Sequence, residues 1–272
     1  MSKHKSKKEK ILIIPIIAIF IIGWLAFCGY AWSWGPFEGL HNIKTAALAG
    51  NDIAYSLENT EALESTALTG KKIIFLGSSV TYGAASKGVS FADYIAKRNA
   101  CSIVKEAVSG TTLVDSGINS YIHRLKKIDE GEADLFVCQL STNDATQKKA
   151  LGEVSNSFDR NDFDTSTVAG AIEYIIAYAQ DEWHCPVVFY TNPKYDSEAY
   201  ADMVALLYQM KDKWNITVID LWSDEAFNHI TQDEYALYMA DKIHPTQAGY
   251  REWWTPYFEQ ELTKVVENDE SN

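Results

Sequence analysis

The sequence predicts an α/β protein built on a doubly wound parallel sheet. From residue 71 onward, short apolar runs alternate with longer segments of helical periodicity, which is the order of a repeating βα unit. The runs VVFY and ITVIDLW are nearly continuous in apolar character. Strands have this composition when helices cover both faces of a parallel sheet.

Five strands and five helices are expected in order along the chain. The strands are predicted near residues 72–76, 102–108, 134–140, 186–191 and 216–221, and the helices near 90–99, 117–128, 166–182, 197–213 and 246–266. The first strand, KKIIFLG, stops at Gly77 and is followed at once by Ser78, Ser79 and Thr81. Because open α/β sheets bind ligands at the carboxyl ends of their strands, a hydroxyl group stands where a site is expected.

The chain before residue 71 is predicted to lie outside this domain. Residues 1–10 form a basic tail with five lysines, and residues 11–32 carry no charge. At about 1.5 Å per residue, the uncharged stretch can cross a hydrocarbon core of about 30 Å. We therefore predict a single-pass membrane anchor that leaves the N-terminus in the cytoplasm and the folded domain outside the cell, since lysines stay on the cytoplasmic side.

The remaining segments follow from this division. Residues 33–70 are predicted to form a stalk with a short helix over 43–64, residues 71–266 the domain, and residues 267–272 a disordered acidic tail. A cleaved signal peptide is the alternative for the N-terminus. Its apolar core is usually only about 7–15 residues long, and no small-x-small cleavage site follows this one cleanly.

Charge and cysteine content limit the partners. The net charge is −13 although the N-terminal tail is basic, so the body is strongly acidic. An acidic body argues against a nucleic-acid partner and favours neutral or cationic substrates. The lipid bilayer is expected as a partner through residues 11–32. Cys101, Cys138 and Cys185 are expected as buried free thiols. The absence of a CxxC or His/Cys cluster predicts no metal site, and no cofactor is expected.

Four short blocks at strand ends or in nearby loops carry residues suited to acyl transfer: Gly77-Ser78-Ser79, Ser109-Gly110, Ser141-Thr142-Asn143-Asp144 and Asp241-Lys242-Ile243-His244-Pro245. A serine nucleophile needs an adjacent base, for which His244 is the candidate, and Asp241 lies three residues earlier, close enough to orient the imidazole. The backbone N–H of Gly110, the side chain of Asn143 and the N–H of Ser79 can form an oxyanion hole. Each residue alone is common turn chemistry, but their joint order favours a site.

These blocks resemble those of the SGNH hydrolases, also called the GDSL esterase/lipase superfamily, over roughly residues 71–266. The resemblance implies that Ser79 is the nucleophile, that Gly110 and Asn143 complete the oxyanion hole, and that Asp241 and His244 form the DxxH motif. It also implies a flavodoxin-like five-stranded sheet of order 2-1-3-4-5.

Two departures from the family pattern lie close to the expected pocket. Ser78 takes the place of the aspartate in the family's usual Gly-Asp-Ser. Ser141 takes the place of the glycine in its usual Gly-x-Asn-Asp. We list both as candidate substrate-binding residues, together with Asp144. The long connection over 145–165 lacks clear periodicity, and loops of this length are often functional. Its residues Phe158, Arg160 and Phe163 are therefore candidates for contacting a sugar.

The sequence predicts a membrane-anchored serine esterase that hydrolyses short-chain, mainly acetyl, esters of cell-envelope or environmental glycans without a metal or organic cofactor. A lysophospholipase or other lipid esterase, and an acetyltransferase, use the same chemistry and remain alternatives. A surface-displayed binding module without catalysis is the alternative from another class.

Overall fold

A five-stranded parallel sheet forms the centre of the fold in a computed structural model, which describes residues 2–32, 36–37, 39–129 and 131–271. The strands are β1 (Lys72–Gly77), β2 (Ser102–Ala107), β3 (Leu135–Gln139), β4 (Val187–Tyr190) and β5 (Thr217–Ile219). They lie in the order 2-1-3-4-5 and every neighbouring pair is parallel. The predicted fold class and strand order are confirmed.

Helices of very different length connect the strands and precede the sheet. They are α1 (Ser2–Trp32), α2 (Leu40–Ala46), α3 (Ser79–Tyr82), α4 (Phe91–Asn99), α5 (Tyr121–Leu125), α6 (Thr142–Thr146), α7 (Val168–Trp183), α8 (Glu198–Trp214), α9 (Glu225–Asn228), α10 (Gln232–Tyr238) and α11 (Thr255–Glu270), and a π-helical segment over Gly249–Trp254 leads into α11. The helix predicted over 117–128 is shorter than expected. Gly117 has φ +135°, and the helix begins only after Ser120, whose side chain accepts a hydrogen bond from the backbone N–H of His123.

Helices cover both faces of the sheet, as the apolar strands predict. Ile74 and Leu76 of β1 point into a core that contains α5, α7 and α8. The alternate residues Ile73 and Phe75 point into a second core with α4 and α11. Both cores are fully buried along β1, so the sheet is a rigid base for the loops at its edge. The predicted buried free thiols are also confirmed.

The N-terminal residues form a compact unit of their own that ends at Leu48 and contains α1 and α2. Residues 33–35 and 38 of the predicted stalk lie outside the described residues. Within the part of the chain that the structure describes, no helix combines the length and the hydropathy of a membrane span. The anchor over residues 11–32 therefore stays a prediction.

The second half of the predicted stalk belongs to the unit that carries the sheet. The structure thus puts the boundary after Leu48 rather than after residue 70. In place of a helix over 43–64 it has α2 and two short turns, Ala49–Asn51 and Ile53–Tyr55. Gly50 packs so tightly that a Cβ there would lie 2.0 Å from the carbonyl oxygen of Leu237, which fixes this segment on the domain.

The C-terminal acidic segment is helical instead of disordered through Glu270. Helix α11 continues to this residue, whose carboxylate pairs with Lys71 Nζ at 2.8 Å. The helix thus extends beyond the predicted end at residue 266, and this ion pair ties its last turn to the residue before β1.

Candidate active site

Ser79 opens α3 directly after β1 ends, and it is 6% exposed. The chain turns so sharply here that a Cβ at Gly77 would lie 1.7 Å from Thr81 Oγ1. Only glycine fits at such a close approach. The turn therefore projects the Ser79 hydroxyl at the carboxyl edge of the sheet, as the sequence predicts.

Gln139, the last residue of β3, supports this turn from below. Its Oε1 accepts hydrogen bonds from the backbone N–H of Ser78 at 2.9 Å and from Thr81 Oγ1 at 2.9 Å. Thr81 Oγ1 in turn lies 2.7 Å from the hydroxyl oxygen of Tyr190. The sequence analysis did not single out Gln139. The sequence did contain a sign of its role, because Gln139 is the polar residue within the otherwise apolar run LFVCQL and a buried polar side chain needs hydrogen-bond partners.

The structure brings Ser79, His244 and Asp241 together as the predicted catalytic triad of nucleophile, base and orienting carboxylate. Ser79 Oγ lies 2.8 Å from His244 Nε2, and His244 Nδ1 lies 2.9 Å from Asp241 Oδ2. With the proton on Nδ1, the imidazole donates to the carboxylate and accepts from the serine hydroxyl. These two contacts give the hydroxyl a base and the base an orienting group.

Asp241 also shapes the backbone of its own turn. Its Oδ1 accepts hydrogen bonds from the N–H of Ile243 at 2.8 Å and of His244 at 2.9 Å. Burial alone would raise the pKa of Asp241, but the side-chain hydrogen bond from His244, the His244 charge and these two N–H groups together lower it to about 2. The carboxylate is consequently ionised at neutral pH.

Two local contacts and one from a distant loop hold the turn that carries His244. Met239 and Pro245 form an isolated antiparallel bridge, and the N–H of Ala240 donates to the His244 carbonyl at 2.9 Å. Asn192, fully buried after β4, donates from Nδ2 to the carbonyl oxygen of Ile243 at 3.1 Å. The sequence analysis missed Asn192, because a single asparagine after a strand carries no distinguishing signal.

The loop that carries Gly110 is joined to Asn143, in the first turn of α6, through Thr111. Gly110 is exposed, with φ +79°, and an added Cβ there would meet no atom within 4 Å. Asn143 Nδ2 donates to the Thr111 carbonyl oxygen at 2.9 Å, which leaves its second N–H for another acceptor. The oxyanion hole inferred from the sequence stays a prediction.

A buried arginine ties these loops to the nucleophile turn. Arg124 of α5 is 4% exposed and donates to the carbonyl oxygen of Gly77 at 2.8 Å and to Thr111 Oγ1 at 3.1 Å. It also donates to the carbonyl oxygen of Asn119 at 3.0 Å. One guanidinium therefore satisfies backbone groups at both sides of the site.

Three of the predicted substrate-binding residues are too buried to touch a substrate. Ser78, Ser141 and Asp144 are each at most 1% exposed. Ser78 donates to Gln139, Ser141 Oγ contacts the Thr111 carbonyl at 3.2 Å, and Asp144 accepts from two backbone N–H groups after Thr112. These predictions are wrong because the polar groups of all three side chains are used to hold the loops beneath the site.

The other three lie at the wrong end of the domain. Arg160 pairs with Asp181 and Glu182 near the end of α7, and Phe158 and Phe163 pack against Trp214 at the end of α8. These helix ends precede β4 and β5, so they lie at the amino edge of the sheet, whereas the triad is at the carboxyl edge. The predicted role of Phe158, Arg160 and Phe163 in contacting a sugar is therefore wrong.

A cavity of about 460 Å³ opens beside Gly110. It is lined by residues 108–112, 116–120 and Gln147, and none of them is charged. Serine, threonine, asparagine and glutamine side chains make up most of the lining, with Ile118 as an exposed aliphatic residue. This cavity, which the sequence analysis did not foresee, offers a ligand hydrogen-bonding groups without charge.

Comparisons with known proteins show the family and the fold. The model of the GDSL-like lipase/acylhydrolase family matches residues 75–252. A search of curated proteins gave no match. Among solved structures, a Lactobacillus plantarum protein is 20% identical with a TM-score of 0.59, covering 74% of this chain and 98% of its own.

Two further structures have the same fold. A protein from Bacteroides ovatus, provisionally assigned as a GDSL-like lipase, is 19% identical with a TM-score of 0.54 over 71% of this chain and 98% of its own. An active-site mutant of a family two carbohydrate esterase from Clostridium thermocellum is 16% identical with a TM-score of 0.50, covering 76% of this chain and 65% of its own. At these identities the likeness shows the fold alone.

Proposed function

This chain belongs to the GDSL-like lipase/acylhydrolase family and is a serine ester hydrolase, and from that premise we propose that it removes short acyl groups, mainly acetyl, from glycans. The observation that carries the catalytic part is the Ser79 Oγ to His244 Nε2 contact of 2.8 Å. It also weighs against a binding module without catalysis, because such a module has no use for an oriented base.

The proposed mechanism uses the groups of this site alone. His244 takes the proton of Ser79 as the hydroxyl oxygen attacks the ester carbonyl, while Asp241 stabilises the imidazolium that forms. The N–H groups of Ser79 and Gly110 and the side chain of Asn143 hold the negative oxygen. His244 then gives its proton to the leaving alcohol, and water repeats the two steps on the acyl-enzyme.

The uncharged cavity beside Gly110 supports a glycan as the substrate. Hydroxyl and amide side chains match the hydroxyl groups of a sugar, whereas the phosphate and ammonium of a phospholipid headgroup find no charged partner in this lining. The strongly acidic body likewise favours a neutral substrate. The same fold serves the carbohydrate esterase named above.

Turnover of graded esters by the purified full-length chain tests the proposal. We expect p-nitrophenyl acetate to be hydrolysed faster than the decanoate, and acetate to be released from acetylated oligosaccharides. A preference for the decanoate would favour the lipid esterase instead, and transfer of acetyl to an added sugar in place of hydrolysis would favour an acetyltransferase.

The nucleophile assignment has its own test. Ser79→Ala should abolish turnover and labelling by a fluorophosphonate probe, whereas the neighbouring Ser78→Ala should still be labelled. Labelling of Ser79→Ala at the wild-type rate would contradict the assignment of the nucleophile.

The cellular location is a separate proposal that rests on the sequence. The absence of charge over residues 11–32 and the five lysines before them favour an anchor with the catalytic domain outside the cell. Full-length protein should then sediment with membranes and resist extraction by alkaline carbonate. Release by carbonate would count against the anchor and leave the esterase proposal untouched.

A further inference from the structure

Asn51 lies outside the region that the family model matches, yet its side chain reaches both catalytic loops. It ends the turn Ala49–Asn51 and is 1% exposed. Its Nδ2 donates a hydrogen bond to the carbonyl oxygen of Ala85 at 2.7 Å. Its Oδ1 accepts a hydrogen bond from the backbone N–H of Gln247 at 2.8 Å.

The two partners of this side chain belong to the loops that carry the nucleophile and the base. Ala85 follows α3, and the N–H groups of residues 83 and 84 donate to the Ser79 carbonyl oxygen at 3.0 and 2.9 Å. Gln247 comes three residues after His244. Since Ser79 and His244 are 165 residues apart in the chain, their contact depends on whatever holds the two loops together.

The surroundings of Asn51 keep it in place. Lys87 Nζ donates to the Asn51 carbonyl oxygen at 2.6 Å, which adds a second link to the loop after α3. On the other side, a Cβ at Gly50 would lie 2.3 Å from Thr246 Oγ1, so glycine lets this turn approach the segment after His244. The turn is thus wedged between the two loops.

We propose that Asn51 is a positioning residue that sets the distance between Ser79 and His244 through the backbone of their loops. The inference rests on the proposed function, because it takes these two residues as the catalytic pair. A misplacement of about 1 Å in a catalytic group can cost about 100-fold in rate. Such a role would make residues 49–51 part of the catalytic unit, although they precede the family match.

Hydrolysis of p-nitrophenyl acetate by Asn51→Ala, well below its melting temperature, tests this role. We expect kcat to fall about 10- to 100-fold with KM within about twofold of wild type, and the rate of phosphonylation by a fluorophosphonate to fall by the same factor. A purely structural role would lower Tm without changing either rate in the folded protein. Asn59→Ala is the matched control, because Asn59 is an exposed asparagine of the same segment whose side chain donates to the nearby Ile53 carbonyl oxygen.

Lys87→Met is the second variant. The substitution removes the hydrogen bond from Lys87 Nζ to the Asn51 carbonyl oxygen, and the fold should tolerate it because Lys87 is exposed. This variant should lower kcat about two- to fivefold. A folded Asn51→Ala with wild-type kcat overturns the inference, and if that variant does not fold, an unchanged kcat in Lys87→Met overturns it. Failure of the wild type to hydrolyse any ester would instead contradict the proposed function.

Discussion

At the scale of single residues, the triad depends on which groups of Asp241 and His244 face each other. Asp241 Oδ2 lies 2.9 Å from His244 Nδ1, and only a proton on Nδ1 leaves Nε2 free to accept the proton of Ser79. The DxxH spacing made this pair predictable, because residues three apart in a turn meet through local backbone geometry. The choice of Ser79 over Ser78 came from the family resemblance, and the structure supports it because Ser78 is buried against Gln139.

We therefore predict that Asp241→Asn lowers kcat about 10³- to 10⁴-fold with KM little changed. The amide can turn an N–H towards Nδ1 and so favour the tautomer with the proton on Nε2, which cannot act as a base. Steady-state hydrolysis of p-nitrophenyl acetate measures this loss. Asp233→Asn, an exposed carboxylate in the first turn of α10, should keep wild-type kcat; equal losses in both variants would refute the tautomer argument.

The same carboxylate should make stability depend on pH. The pKa of Asp241 falls from its ordinary 3.8 to about 2 in the folded protein, so folding favours the ionised form. Its contribution is present in full above about pH 4 and is lost as the pH falls towards 2. The Tm difference between wild type and Asp241→Asn should be largest above pH 4 and shrink towards pH 2. A difference that stays constant over this range would show that the carboxylate is not stabilised by folding.

At the scale of elements, the ends of β1 and β3 form one polar support for the nucleophile turn. Gln139 Oε1 accepts from the N–H of Ser78 and from Thr81, at a place where every surrounding side chain is buried. An apolar residue of similar length would leave these donors without an acceptor. Each buried donor left unsatisfied costs about 1–3 kcal/mol.

We predict that Gln139→Met lowers the free energy of unfolding by about 2–4 kcal/mol and also lowers kcat, because the Ser79 turn loses its anchor. Urea unfolding and ester hydrolysis measure the two effects. Gln209→Met, on the exposed face of α8, is the matched control and should leave both unchanged. Wild-type stability in Gln139→Met would mean that the turn is held by the tight packing at Gly77 alone.

The elements also show what a sequence pattern can predict. Strands β1 and β3 were predicted closely because burial on both faces leaves a continuous apolar run. The positions of Phe158, Arg160 and Phe163 were not, because tertiary contacts set them: Lys213 Nζ donates to the carbonyl oxygens of Ser155 and Ser157 and draws this part of the loop towards α8. Asn51 escaped notice for the same reason, since its partners are 34 and 196 residues away.

At the scale of the whole molecule, charge and cavity lining point to the same kind of substrate. The chain carries a net charge of −13, whereas the cavity beside Gly110 is lined by uncharged residues only. A negative field around an uncharged cavity repels anionic substrates at a distance without helping or hindering neutral ones at contact. Selection against polyanions would thus come from the body of the protein and not from the site.

This separation can be measured through ionic strength. Raising NaCl from about 10 to 300 mM shortens the Debye length from about 30 to below 8 Å and should weaken the repulsion. We expect kcat/KM for an acetylated polyanionic glycan to rise about three- to tenfold, while kcat/KM for a neutral acetylated oligosaccharide changes less than twofold. Equal salt responses for both substrates would locate the discrimination in contacts within the site, and a fall for the polyanion would mean that a basic surface receives it.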